Sequence, residues 1–321
     1  MTSIKNNQTQ HVFGPVPSRR LGRSLGIDLI PFKTCSYDCI YCELGRTTCK
    51  TVKREEYVSL EEIKNEIAIK LNHGVNAAFI TLAGSGEPTL NTSISQLIKY
   101  LKNITQIPIA VLTNGSLLWK DEVKRGIESA DLVIPSLDAN NSVNFNGANR
   151  PHKSITFDLM VKGLSQFSKE YKGLFYLEVF LLGGITAIET DVRQMVDIVH
   201  TIRTDKIQLN TVVRPPAEDF AYTVSISKMN RFAGYFGKNA EVIADYIDNP
   251  REKSFIASRE DVLNLLKRRP CTIQDVSKGL SIHVNEVIKH INHLLQEDCI
   301  RMEKISNKKF YCVNEKQHCE L

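Results

Sequence analysis

Six short apolar runs, separated by stretches that carry their apolar residues at helical spacing, constrain this chain more than any other feature. They lie at residues 26–31, 77–83 (AAFITLA), 107–112 (IPIAVL), 131–136 (DLVIPS), 174–182 (LFYLEVFLL) and 206–213 (KIQLNTVV). Continuous apolar runs, rather than alternating ones, mark strands buried on both faces of a parallel, helix-covered sheet. Helices are expected over 59–73, 91–102, 120–130, 155–170, 189–203 and 227–237. Ser59 and Glu62 form a capping-box pattern at the first of these. The class is therefore α/β. The order suits a doubly wound sheet or a barrel, and six strands are too few for a full eight-stranded (β/α) barrel.

The periodicity changes near residue 250, where Asn249-Pro250 is a breaker. Two units are expected, 1–250 and 251–321. In the second, helices are predicted over 259–268, 272–279 and 283–296, with Thr272 as a cap and Gly279 as a stop. Two short strands, 299–304 and 309–313, flank the polar turn at 306–309. Three helices and a hairpin are the outline of a C-terminal winged helix-turn-helix domain.

Hydrophobic residues make up 42% of the 321, which is enough for a sizeable core. The net charge of +5 is too mild to argue for nucleic-acid binding by itself. No apolar run reaches the ~20 residues that span a bilayer. The polar start, MTSIKNNQTQHVFG, has no signal-peptide core, so a cytoplasmic protein without membrane contact is expected. Four of the eight cysteines fall between Cys35 and Cys49. In a reducing compartment, clustered thiols are metal ligands or catalytic groups more often than disulfides.

The cysteine loop reads Cys35-Ser-Tyr-Asp-Cys39-Ile-Tyr-Cys42, or C-x3-C-x-Y-C. Three thiolates on one tight loop can hold three irons of a cubane cluster, because soft sulfur suits Fe–S chemistry. The fourth iron then stays open to chelate a small molecule, as catalytic metals keep a free position. A zinc site is the alternative, with Cys49 as its fourth ligand. A second run, Gly84-Ser-Gly86-Glu87-Pro88-Thr89, ends the second strand. Its glycines permit close backbone approach and its proline fixes the turn. An ordinary strand-end turn is the alternative there. Thr113-Asn114 and Ser136-Leu137-Asp138 follow the next two strands. Ligands gather at such strand ends, although helix caps and turns use the same residue types.

Together these motifs resemble the radical S-adenosylmethionine (SAM) superfamily. The resemblance implies a partial (β/α)6 barrel. It implies a [4Fe–4S] cluster on Cys35, Cys39 and Cys42, and SAM chelated to the unique iron through its amino and carboxylate groups. An electron then cleaves the sulfonium to give a 5′-deoxyadenosyl radical that abstracts hydrogen from a substrate. The Gly84, Gly86, Glu87 and Pro88 segment is implied to bind the methionine ammonium through backbone groups. Thr113, Asn114, Ser136 and Asp138 are candidates for the ribose and carboxylate, and Tyr41 for packing on the adenine. Phe13–Asp28, Asn149-Arg150-Pro151, Glu178 and Leu209–Pro216 further resemble a group of Fe–S oxidoreductases related to wybutosine-synthesis enzymes. That group leaves the substrate unspecified. No second cysteine trio points to an auxiliary cluster.

A charge on an otherwise apolar strand is costly unless it faces a polar cavity. Glu178 and Arg214 are therefore candidate catalytic residues. Arg19, Arg20 and Arg23 either clamp an anion or form a solvated basic segment. The C-terminal unit has 13 Lys/Arg, 10 Asp/Glu and four histidines. His283, Lys289, His290, His293, Lys308 and Lys309 suit phosphate contacts, while protein docking is the other use of such a domain. The leading function is hydrogen abstraction from a macromolecular substrate, tRNA first. An electron donor such as a flavodoxin or ferredoxin, and a tRNA or protein partner, are expected. The alternatives are small-molecule or protein chemistry, and an Fe–S redox-sensing regulator that binds DNA.

Overall fold

The structure, a computed structural model, describes residues 11–244, 259–280, 282, 284–305 and 308–314. The expected boundary at Asn249-Pro250, as well as His283, lies outside the described residues.

The described residues begin with a hairpin, β1 (Val12–Ser18) and β2 (Gly22–Ile27), and a two-residue ladder, β3 (Thr34–Cys35) with β4 (Cys49–Lys50). The series continues with α1 (Leu60–Asn72), β5 (Phe79–Leu82), α2 (Ile94–Ile104), β6 (Ile109–Thr113), α3 (Asp121–Ile127) and β7 (Leu132–Pro135). Next come α4 (Ser142–Ala148), α5 (Phe157–Glu170), β8 (Leu174–Leu181), α6 (Glu189–Val199), β9 (Lys206–Thr211), α7 (Ile226–Phe236) and β10 (Ala240–Val242). The C-terminal module contains α8 (Arg259–Arg268), α9 (Ile273–Leu280), α10 (Val284–Gln296), β11 (Ile300–Ile305) and β12 (Lys308–Val313).

One eight-stranded sheet runs β1-β2-β5-β6-β7-β8-β9-β10. Every pairing in it is parallel except β1 with β2. The six expected strands are its centre, and the first is shifted to Gly22–Ile27 from the expected 26–31. β1 and β10 are additions. Pro15 and Pro17 make β1 look irregular in the sequence, and an edge strand is where a sheet tolerates proline. β10 has three half-buried residues and no apolar run to announce it.

Residues of one strand face pack against helices. Leu25, Ile27, Ile80, Leu82, Ile109, Val111, Val133, Leu177, Val179 and Leu209 share a core with Ile63 of α1, Leu97 of α2, Leu164 of α5, Met195 of α6 and Phe232 of α7. The other face carries two layers. Phe79, Ala110, Leu112, Leu132, Ile134 and Tyr176 form an apolar floor with Leu21. Beyond it, toward the carboxyl ends, the same face carries Glu178, Gln208 and Asn210, all buried. The β1–β2 turn bonds across this face: Arg20 reaches Glu178 on β8 and Arg19 reaches Asn210 on β9. A turn beside β2 touching the far strands means that the sheet curls around its interior.

In the C-terminal module, β11 and β12 pair antiparallel as expected, as a small separate sheet. Thr272 and Asp275 cap α9 reciprocally, 2.9 and 3.1 Å. Gly279 does not stop the helix. It lies inside α9 under Pro17, where an added Cβ would sit 2.7 Å from the ring. Its small size serves packing against β1. Phe13 and Val16 of β1 complete the module's core with Val262, Leu265, Leu266, Val276 and Ile291. Among the described residues, no helix is long and apolar enough to cross a membrane.

Candidate functional site

The loop after β2 carries the three cysteines past the carboxyl ends of the strands. Backbone bonds shape it: Cys42 N–H donates to the Cys39 carbonyl, 3.2 Å, and Gly45 N–H to the Cys42 carbonyl, 3.1 Å. Asp38 accepts from Thr47 N–H, 2.8 Å, and pairs with Arg46. Arg46 and Arg150 share Glu218, which ties the loop to the segment after β9.

Two asparagines direct amide N–H groups at the sulfurs. Asn114 Nδ2 lies 3.5 Å from Cys35 Sγ, and Asn149 Nδ2 lies 3.7 Å from Cys39 Sγ. Burial, reinforced by Glu87, pushes the Cys35 thiol up to about 12, and burial pushes Cys42 up to about 11. Thiols in such surroundings stay protonated unless a metal takes the proton's place. Among the described residues, no three His, Cys, Asp or Glu side chains converge to hold a single ion. Cys49, the fourth ligand of the zinc alternative, is exposed on β4. A cubane needs no such convergence, because each thiolate takes a different iron. The donor set thus fits a cluster: three thiols, with amide donors on two of them. Tyr37 Oη and Asn149 Oδ1 are also buried there without hydrogen-bond partners.

The Gly84–Thr89 segment lies directly on this loop. Gly84 has φ +143°, and a Cβ there would meet the Asp28 carboxyl at 2.8 Å. At Gly86 a Cβ would lie 1.8 Å from the Thr34 carbonyl oxygen. Only glycine fits either position. The Glu87 carboxylate accepts from Thr89 N–H and Oγ1, Thr113 Oγ1 and Asn114 N–H, at 3.1, 2.5, 2.6 and 2.7 Å. Glu87 therefore locks the end of β5 to the end of β6. Pro88 opens the 3₁₀ turn Pro88–Leu90.

Tyr41 stacks on Phe180, with centroids 4.1 Å apart and planes 15° off parallel. Its hydroxyl donates to Asp138 Oδ2, 2.5 Å. Asp138 also accepts from Asn149 Nδ2 and Phe180 N–H, 2.9 and 3.1 Å. Burial pushes the Asp138 carboxyl up to about 6 against those bonds. Ser136 bridges to Glu178 through its backbone.

Glu178 and Arg214 do not touch each other. Glu178 accepts a bidentate pair from Arg20 and a 2.8 Å bond from Asn210. Arg214 grips both oxygens of Glu43, 3.0 Å each, and Arg19 joins Glu43 at 2.9 Å. Burial would raise Glu43, but the guanidinium groups of Arg214, Arg19 and Arg269 pull it down to about 2. Arg19 also donates to Asn210, so both clusters form one network. Sequence reasoning missed Glu43 and the sulfur-facing role of Asn149. Their only signals are a charge directly after Cys42 and the Asn-Arg-Pro run after α4.

Residues 29–199 match the family described as the Radical SAM superfamily. The chain is 39% identical over 310 residues to "GTPase Obg" of Brachyspira hyodysenteriae, covering 96% of this chain and 46% of that protein. It therefore spans about half of that relative's length, and it contains no G-x-x-x-x-G-K-[ST] phosphate loop. It is 34% identical to a UPF0026 protein of Methanocaldococcus jannaschii, covering 94% of this chain and 95% of that one. Among solved structures it resembles a radical SAM methyltransferase from Sphaerobacter thermophilus at 17% identity. The TM-score is 0.55, with 68% of this chain and 65% of that chain covered, so the likeness concerns the fold. The chain belongs to the radical SAM superfamily, whose enzymes use a [4Fe–4S] cluster and S-adenosylmethionine.

Proposed function

We propose that this chain is a radical SAM enzyme that abstracts hydrogen from a substrate seated in the polar upper interior of a partial (β/α)6 barrel. When bound, the cluster and SAM supply a 5′-deoxyadenosyl radical. Cys35, Cys39 and Cys42 hold the cluster, and Asn114 and Asn149 tune its sulfurs. The backbone of Gly84–Glu87 receives the methionine end, with Thr113 and Asn114 fixed beside it by Glu87. Ser136 and Asp138 would hold the ribose, and the Tyr41–Phe180 stack would pack against the adenine. Across the interior, Arg19, Arg20 and Arg214 face Glu43 and Glu178, and this network orients a polar substrate while the apolar floor excludes water.

The observation that carries this reading is the juxtaposition of three thiols, two sulfur-directed amides and a glycine loop at one strand rim. The C-terminal module serves as a winged helix-turn-helix that presents a macromolecule, tRNA first. Lys289 of α10 and Lys304, Lys308 and Lys309 of the hairpin are exposed, which suits phosphate contacts. A flavodoxin or ferredoxin in the cytoplasm supplies the electron.

Anaerobic reconstitution with iron and sulfide, followed by dithionite and SAM, tests the reading. The wild-type protein should release 5′-deoxyadenosine, and Cys39→Ala should not. Release by Cys39→Ala at the wild-type rate would sink it. Adding total tRNA should raise the release, and no response to any RNA would remove the tRNA assignment alone.

A further inference from the structure

The end of α8 reaches the SAM loop. Arg268 pairs with Asp28 and also approaches Ser85 Oγ, 3.4 Å. Its guanidinium lies 4.5 Å over the Phe13 ring, which itself lies across Gly26, where an added Cβ would meet a ring atom at 2.2 Å. Asp28 is 3% exposed and accepts from Ser85 twice, once from N–H at 3.1 Å and once from the hydroxyl. Ser85 is the residue between the two close-contact glycines. Its carbonyl accepts from Lys33 N–H, 2.7 Å, and Glu87 N–H donates to Thr34, 3.2 Å. One chain of contacts thus runs from α8 through Asp28 and Ser85 to the residues just before Cys35.

We propose that Arg268 is a positioning residue for SAM, so that the C-terminal module sets the conformation of the Gly84–Glu87 loop. This rests on the reading above that the loop binds SAM. Two glycines give the loop freedom that its function cannot use, since a backbone site must be held to within about half an ångström. Ser85 is fixed by the Asp28 carboxylate, and a buried carboxylate is a dependable anchor only while a cation balances it. Arg268 is that cation, 183 residues further along the chain from Ser85. The module cannot swing away from this contact easily. Arg269 donates to the Pro17 carbonyl, 2.7 Å, and Phe13 and Val16 are built into the module's core.

The test uses the reconstituted full-length chain and compares wild type with Arg268→Ala, Arg268→Gln and Arg268→Lys. Arg259→Ala, which removes an exposed pair with Glu297, serves as control. SAM affinity is measured by equilibrium dialysis, iron by chemical assay, and amide hydrogen exchange over residues 83–89 without SAM. Arg268→Ala and Arg268→Gln should weaken SAM about tenfold. They should speed exchange in the loop and leave iron per chain unchanged. Arg268→Lys should recover most of the affinity, and the control should match wild type. Wild-type affinity in both neutral variants, or joint loss of iron and SAM in both, overturns the inference alone. A wild-type protein that holds its iron and binds no SAM overturns the parent reading, and the inference with it.

Discussion

At the ends of β5 and β6, the Glu87 carboxylate accepts from Thr89, Thr113 and Asn114, residues within 27 positions of it. At the ends of β8 and β9, Glu178 bonds to Arg20, 158 positions away, and Arg214 bonds to Glu43, 171 positions away. The first half of the rim is built from glycines, backbone amides and neutral side chains around two enclosed carboxylates, Glu87 and Asp28, the second balanced by Arg268. The second half is built from five charged side chains and an asparagine that meet across the interior. A shared cofactor asks for a fixed backbone mould, and a particular substrate asks for charges whose positions the whole sheet sets. Under the proposed function, cofactor binding falls to the first half and substrate choice to the second.

The sharpest way to break this division is Gly86→Ala. The new Cβ would fall 1.8 Å from the Thr34 oxygen and push the glycine loop off the cysteine loop. We expect a loss of about 3 kcal/mol in urea unfolding, with iron retention and SAM binding both lost. A Gly86→Ala protein with normal iron and normal SAM affinity would contradict the close-packed mould. A smaller effect is expected from Glu178→Gln. It keeps an acceptor for Asn210 and removes the charge from Arg20, whose side chain is 20% exposed. Stability should fall by about 2 kcal/mol, while iron content and SAM affinity stay within about twofold of wild type, a change of less than 0.5 kcal/mol. Loss of SAM affinity in this variant would merge the two halves into one.

The same division explains what could be read before the fold was known. The cysteine loop and Gly84–Thr89 are local: spacing alone brings their groups together, and both stand where the sequence places them. The six central strands were legible because most are mainly apolar runs; Arg23 and Ser24 near the start of β2 helped to hide its true start. β1 was not, because its prolines imitate a loop until the edge position excuses them. Glu178 was recognisable as a misplaced charge on an apolar strand, and Arg214 as a charge at a strand end. Their partners were not, since Arg20 and Glu43 meet them only once the sheet curls. Gly279 was misread as a helix stop because its reason, Pro17, lies on another element. Asp28, Ser85 and Arg268 were silent for the same reason: each is an ordinary polar residue until three elements converge.

The central claim is that three cysteines hold a cluster whose fourth iron is open to SAM. Electron paramagnetic resonance of the reconstituted, dithionite-reduced protein, recorded with and without SAM, tests it directly. A reduced [4Fe–4S] signal whose g-values shift when SAM is added is the predicted result. A signal that SAM leaves unchanged, at concentrations that saturate binding measured independently, would contradict it.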